Sequence, residues 1–533
     1  MNHKVLFCII TLCSSNMMAA SDESQDLQRE VKRLQQQTLN LQNQLNHLQK
    51  KMVKAPKTIE SQKPVAKVAP TRSKPKMTTP DKSSGAAAGV FHSSSITVHR
   101  LDNDPESLEF YPTALVADEH VVTYIAGTPV VSSPYLGSRP AFDGSDYIVN
   151  ISSINRDIRL MQQRRRLYRA YESIGYPIPH MPIIALSGKV EPVAKVGDPF
   201  NRDRTGDLTL GTGELDVAAI LNDKVEAYMS LAYDSSPPDV GGQRLSNSSV
   251  DLNMGFVNIG DLDESPFYFT GGQLYVPFGR FSTAMVSAPL TMIFSRTKSR
   301  PFILGYKSQQ DSGLFAAVYG FSSDTTLGSS AVGGVNLGYV IDTGKLTGEI
   351  GASIISSVDD AGGMQFTGST PGTTFGGFSS ATNGNEAVHK IPAAGVHGHL
   401  SIDRYNFTAE WVSTTSDFRP QDLSFNGRGA KPSAAQLEAA VTFKTFDKPA
   451  SVAFGYQWSK DTLALNLPKQ RLSGVFNISI WKDTVESLEY RHDINFSKNQ
   501  YANGAFPVGS PNANTLGPGG ASDTLLAQIG VYF

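Results

Sequence analysis

Six arginines, Arg156, Arg159, Arg164, Arg165, Arg166 and Arg169, crowd one short segment whose only acidic company is Asp157 and Glu172. A guanidinium fork grips carboxylates and phosphates through two parallel hydrogen bonds, so this cluster is a candidate site for a carboxylate-bearing ligand. The competing reading is a solvated face, or an ion-pair partner for an acidic neighbour. A second set of charges, Lys189, Glu191, Lys195, Glu214, Asp216, Glu226, Glu438, Lys444, Arg471, Glu489, Arg491 and Asp493, sits at alternate positions of otherwise apolar segments. On strands these would share one face and line a polar interior. Their mixed signs argue against selection for anions alone. A third pattern is His397-Gly398-His399. Residues two apart on a strand point the same way, so both imidazoles could meet one metal ion, with His389 nearby in sequence. Satisfied or solvated histidines are the more ordinary outcome. No nucleophile elbow, phosphate loop, zinc-protease helix or cysteine cluster is present. The chemistry on offer is binding rather than catalysis, with no cofactor and no nucleic acid implied.

The elements that must position these groups follow from periodicity. Ser153–Ser173 reads as a helix with Ser153 as N-cap, Gly175 as its stop, and Leu160, Leu167, Tyr171 and Ile174 as one apolar stripe. From residue 184 onward the period is two. Val225, Ala227, Met229, Leu231 and Tyr233 alternate with Lys224, Glu226, Tyr228, Ser230 and Asp234, and Leu525, Ala527, Ile529, Val531 and Phe533 close the chain in the same way. Sixteen strands are expected, near 184–196, 208–221, 224–234, 249–259, 266–276, 301–308, 313–321, 332–342, 345–356, 391–402, 404–414, 435–445, 450–459, 470–481, 484–496 and 523–533. Many are long enough to cross a bilayer at a tilt. Short connections such as Asn222-Asp223 and Asp403-Arg404 alternate with long ones, including 197–207, 235–248, 277–300, 357–390, 415–434 and 497–522. A β-sandwich has no reason for that alternation, whereas a barrel with short periplasmic turns and long outer loops requires it. The expected fold class is all-β: a sixteen-stranded antiparallel transmembrane barrel over 184–533.

Composition agrees. Of the 533 residues only 18% are charged, while Gly reaches 47 and Tyr and Phe number 19 and 27. Charged residues make up about a quarter of an ordinary soluble domain. After residue 13 no run of apolar residues is long enough for a spanning helix.

The N-terminal third reads as three pieces ahead of the barrel. Residues 1–20 form a secretory leader, with Lys4, an apolar stretch Val5–Cys13, and Ala19-Ala20 before Ser21-Asp22-Glu23. Both cysteines, Cys8 and Cys13, lie inside it. Residues 21–53 carry an unbroken heptad of Leu27, Val31, Leu34, Thr38, Leu41, Leu45, Leu48 and Met52. A helix of that length needs a partner to bury such a seam, so homo-oligomerisation through Leu27, Val31, Leu34, Leu41, Leu45 and Leu48 is expected. Residues 54–92 hold five prolines among Lys, Ala, Ser and Thr. They read as an extended basic tether in the periplasm. Residues 93–183, with the Arg-rich helix, are a periplasmic or plug-like segment. The acidic barrel should draw that helix onto its mouth or lumen.

The whole order of leader, Leu/Gln-rich coiled coil, basic tether, intermediate segment and barrel resembles the legiobactin-receptor family of outer-membrane siderophore porins. Its most specific stretch is Gly271-Gly272-Gln273-Leu274-Tyr275-Val276-Pro277-Phe278-Gly279-Arg280 followed by Pro289-Leu290-Thr291. Similar strand ends also occur in phosphate-selective porins. The resemblance implies residence in a Gram-negative outer membrane and uptake of a ferric siderophore. Outer-membrane lipid, lipopolysaccharide and the barrel-assembly machinery would be partners, the last suggested by terminal Phe533. It carries over no binding residue. A general or anion-selective diffusion porin, and a barrel-anchored cell-wall tether or adhesin, are the alternatives.

Overall fold

In the computed structural model the described residues are 154–173 and most of 182–533, together with short backbone stretches between 91 and 150. The expected leader, coiled coil and most of the tether lie outside them, as does Phe533. All sixteen expected strands are present. They are β1 (Ile183–Asp198), β2 (Thr205–Ile220), β3 (Val225–Asp234), β4 (Asp251–Ile259), β5 (Phe267–Tyr275), β6 (Phe302–Lys307), β7 (Gly313–Ser322) and β8 (Ala331–Asp342). Then follow β9 (Leu346–Ile355), β10 (Ala393–Ile402), β11 (Tyr405–Thr414), β12 (Ser433–Thr445), β13 (Lys448–Lys460), β14 (Gln470–Ile478), β15 (Thr484–Ile494) and β16 (Ala521–Tyr532).

Each strand pairs antiparallel with the next, and β16 returns to β1 with Asp523 opposite Asp198 and Tyr532 opposite Lys189. Closure removes every free edge, which a strand assembly in lipid requires because no water is there to take up unpaired amides.

The two faces are inverted relative to a soluble protein. Phe267, Phe302, Leu304 and Phe454 on the outside are about two-thirds exposed, whereas Asp216, Glu226 and Glu489 on the inside are fully buried. Leaving such a side chain in water forgoes about 1.5–3 kcal/mol. Summed over the outward Leu, Val, Ile and aromatic residues of sixteen strands, only a hydrocarbon surround can offset that. The fold is a transmembrane β-barrel of the bacterial outer-membrane type.

The tight turns follow their residues. Asn222 accepts the amides of Lys224 and Val225 through its side-chain oxygen at 2.9 and 3.0 Å. Phe446 and Asp447 both take left-handed backbone, the two-residue geometry that matches strand twist. Inside, rings lie over glycines on the neighbouring strand: Tyr268 over Gly305, Tyr319 over Gly334, Phe315 over Gly338 and His397 over Gly351. A Cβ at any of these glycines would stand within 2.6 Å of the ring.

Candidate functional site: the lumen and its two inserts

Among the described residues, two stretches of chain enter the barrel. The first is α1 (Arg156–Ser173). It starts later than its expected N-cap, because Asn155 adopts left-handed backbone and its carbonyl accepts the amide of Arg159 at 3.2 Å. Ser153 and Gly175 lie outside the described residues. The helix packs on the inner face of β3–β5. Ile158 and Met161 meet Leu262 and Tyr268, while Ile154 and Leu160 join the main apolar core. Asn258 Nδ2 donates to the Asp157 carbonyl at 2.9 Å, and Thr270 Oγ1 donates to the Asp157 carboxylate at 3.3 Å. Burial pushes the Asp157 carboxyl above the usual range, partly offset by the Ile158 amide and Thr270.

Among the described side chains, Arg156, Arg164 and Arg165 are taken up by the wall. Arg164 is buried, donates to the Gly260 carbonyl at 2.7 Å and stands 3.6 Å from Glu226. Arg156 is buried beside Tyr228, whose hydroxyl in turn donates to Asp216. Arg165 pairs with Asp263 in the β4–β5 turn at 2.9 Å, and Arg159 folds back on the Ile154 carbonyl at 2.8 Å. The side chains of Arg166 and Arg169 lie outside the described residues.

The second insert is the connection from β5 to β6, 276–301. The sequence reading treats 277–300 as an outer loop, and the structure corrects this. The segment turns inward at Pro277 and crosses to the inner faces of β9–β15. Wall carboxylates hold it at successive points. Glu410 on β11 accepts the amides of Arg280 at 2.6 Å and Phe281 at 3.0 Å, and the Thr291 hydroxyl at 2.9 Å. Glu438 on β12 accepts Thr283 Oγ1 and the Ala284 amide, and Glu489 on β15 accepts the amide and hydroxyl of Ser287. Gln457 takes the Leu290 amide at 2.8 Å, Gln436 donates to the Ser282 carbonyl at 3.0 Å, and Arg280 pairs with Glu349 on β9 at 2.9 Å. The short helix α2 (Leu290–Ser295) then buries Leu290 and Phe294 completely. Gly279, at φ 75, makes the turn possible, since a Cβ there would meet the Phe281 ring at 2.4 Å and Glu410 at 3.0 Å.

The charges expected to line the interior share the inward face. Lys189 pairs with Glu191 at 2.8 Å, and Glu214 accepts Ser230 Oγ at 2.6 Å. Arg471 grips Asp493 through Nε and Nη2 at 2.7 and 3.3 Å, and Arg491 stands 3.0 Å from the same carboxylate. Lys195 is half-buried on that face, and Lys444 is exposed at its short-turn end. His397 and His399 also point inward. His397 approaches Glu349 at 3.4 Å, and His399 contacts Thr408 at 3.0 Å and Ser401 at 3.4 Å. His389 belongs to another neighbourhood, 2.8 Å from Asp422. Among the described residues no group of three or more His, Cys, Asp or Glu is placed to hold a metal ion.

Sequence reasoning missed Glu349, Glu410, Gln436 and Gln457 as anchors, and Arg280 as a lumen group. A signal was available. Val276, Phe278, Phe281, Leu290 and Phe294 make 276–301 too apolar for a solvated loop, and all five are buried.

No protein-family model matches the chain. It is 63% identical over 537 residues to a UPF0422 protein of Legionella pneumophila (strain Paris), covering all of both chains. It is 37% identical over 406 residues to a UPF0422 protein of Coxiella burnetii (strain RSA 493 / Nine Mile phase I), covering 75% of this chain and 83% of that one. Among solved structures, the anion-selective porin from Comamonas acidovorans aligns at TM-score 0.42 and 12% identity, over 66% of this chain and all of its own. The outer membrane channel DcaP of Acinetobacter baumannii aligns at TM-score 0.41 and 13% identity, over 67% of this chain and 99% of its own. The chain belongs to the UPF0422 family.

Proposed function

We propose that this protein is an outer-membrane channel that takes up a ferric siderophore. The observation that carries the channel reading is the inverted barrel: a closed wall with an apolar outside and an inner face of charged and polar residues. A polar interior of this kind suits passage of hydrophilic solute. The two inserts narrow that interior, from β3–β5 and from β9–β15, and so favour a selective path over a wide diffusion pore. The siderophore reading is supported by the resemblance of the whole chain order to siderophore porins, and by a lumen that presents both signs of charge to a polar ligand. On this reading the long connections face outward and the N-terminal segments lie in the periplasm.

The test pairs transport with conductance. Cells lacking the protein should lose uptake of radiolabelled iron supplied as a ferric siderophore of carboxylate type. The purified full-length chain in planar bilayers should show saturable block by the same complex. Iron uptake equal in both strains, with an unblocked current, would leave a diffusion porin.

A further inference from the structure

We infer that the inner wall of β14–β15 holds an oxyanion-binding site built from Arg491, Ser473 and Arg471; this rests on the channel reading and names the ligand chemistry its lumen would select. Asp493 is the single carboxylate shared by two guanidiniums. Arg471 takes it with two hydrogen bonds and also donates to the Ala288 carbonyl of the inserted loop at 3.2 Å. Arg491 lies 3.0 Å from its Oδ2 but makes no hydrogen bond to it, because the Nε–H is misaligned. The other carboxylate nearby, Glu489 two residues before Arg491 on the same face, has both oxygens taken by Ser287, so the Arg491 Nε–H is left without a hydrogen-bond partner.

The second observation is independent of charge. Ser473 sits directly across from Arg491 in the β14–β15 ladder, so their inward side chains are neighbours about 5 Å apart at Cβ. Ser473 is 6% exposed, and its hydroxyl has no hydrogen-bond partner among the described residues. A buried hydroxyl without a partner has given up its hydrogen bonds to water and gained none in return. The arrangement is therefore incomplete as it stands. A group able to accept from Ser473 Oγ and from the Arg491 fork would complete both, and a carboxylate or phosphate oxygen has that geometry and charge.

Its place in the lumen fits capture. Arg491 is one inward position nearer the long-loop end of β15 than Glu489, which clamps Ser287 of the insert. The insert meets the wall at both flanking levels, Ala288 at Arg471 opposite Asp493 and Ser287 at Glu489, so Arg491 and Ser473 stand beside the narrowing itself, where a passing ligand comes closest to the wall. Of the α1 arginines, Arg164, Arg165 and Arg159 are, by contrast, already matched to Glu226, Asp263 and backbone carbonyls.

The full-length protein in planar bilayers tests the site with citrate and inorganic phosphate as probes, each added on the long-loop side. The unaltered channel should show concentration-dependent block. Arg491→Gln should weaken it about tenfold, as expected for one charge-assisted contact. Arg491→Lys should fall between, and Ser473→Ala should weaken block a few-fold. Heat-modifiable gel migration shows that each variant still closes into a barrel. Loss of citrate block assigns the site to carboxylates, and loss of phosphate block alone assigns it to phosphate esters; either upholds the site. Equal block in Arg491→Gln and the unaltered protein overturns it while leaving the channel intact. A chain that carries no current, yet binds citrate calorimetrically through Arg491, would remove the channel reading and leave the site standing.

Discussion

The two inserts reach the same barrel interior by opposite chemistry. In α1 the backbone amides beyond the first turn are consumed within the helix, so apart from the Asp157 carbonyl held by Asn258 it is side chains that attach it, and arginines carry the attachment to Glu226, Asp263 and the Gly260 carbonyl. The 276–301 loop has no repeating structure over its first half. Its free amides at Arg280, Phe281, Ala284 and Ser287 are captured by carboxylates on the wall. A helix must bring its own charge to a barrel, whereas an irregular segment needs the barrel to supply it. The helix attachment therefore rests mainly on its own arginines, and the loop attachment mainly on wall carboxylates that accept its amides and hydroxyls, together with the Arg280–Glu349 ion pair.

The largest effect should come from the loop. Glu410→Ala removes one carboxylate and strands three buried donors, costing on the order of 3–5 kcal/mol of local attachment. Single-channel conductance should rise several-fold as the loop leaves the wall, and Glu410→Gln, which keeps a carbonyl acceptor, should do less. An unchanged current would mean that the apolar contacts of Phe278 and Phe294 hold the loop unaided. Next comes Gly279→Ala, where the new methyl group collides with Phe281. A loss of about 1–3 kcal/mol, read as a lower temperature for loss of the heat-modifiable form, is expected. On the helix side, Glu226→Gln should cost about 1–3 kcal/mol, because Asn258 still holds one oxygen while Arg164 loses its counter-charge. Protease accessibility of α1 should rise without the jump in conductance seen for Glu410→Ala. If both variants open the channel equally, the two attachments are equivalent and the contrast fails.

The smallest effect is one of pH, and it lies among the long loops. Asp359 is fully buried, and desolvation, with Asp360 and Asp422 nearby, pushes its carboxyl up to about 8. A raised carboxyl pKa means that the folded loop binds the proton more tightly than the unfolded chain. The associated stability is complete below about pH 4 and is lost as pH rises through about 8. Hydrogen exchange in 356–361 should therefore quicken between pH 5 and 9, and Asp359→Asn should flatten that dependence.

The barrel was legible because its rule is local: alternation at each strand reports which face meets lipid, and all sixteen strands could be placed within a few residues of their ends. The Arg-rich helix was legible for the same reason, as a charge excess that needed a partner. Its partners were not, since Glu226 and Gly260 are brought to Arg164 only by closure of the wall. The inserted loop was hidden because its anchors are backbone amides, which every sequence has. The wall carboxylates that hold it looked like ordinary pore-lining charges, as Glu438 and Glu489 did, or were passed over, as Glu410 was. The clearest cue was apolar content in a connection, at Val276, Phe278 and Phe294.

The rings that lie over glycines bear on how such a wall can be joined without error. Alternation alone does not distinguish a correct strand pair from one shifted by two residues, because both keep the apolar face outward. With Phe315 seated on Gly338 and Tyr319 on Gly334, a two-residue slip between β7 and β8 would drive Tyr319 onto Val332 or Asn336, where no hollow receives it. Tyr268 with Gly305 and His397 with Gly351 impose the same condition on β5–β6 and β9–β10. These pairs act as keys cut into the interior, so that three of the sixteen seams carry their own proofreading of alignment, independent of the turns that link their strands.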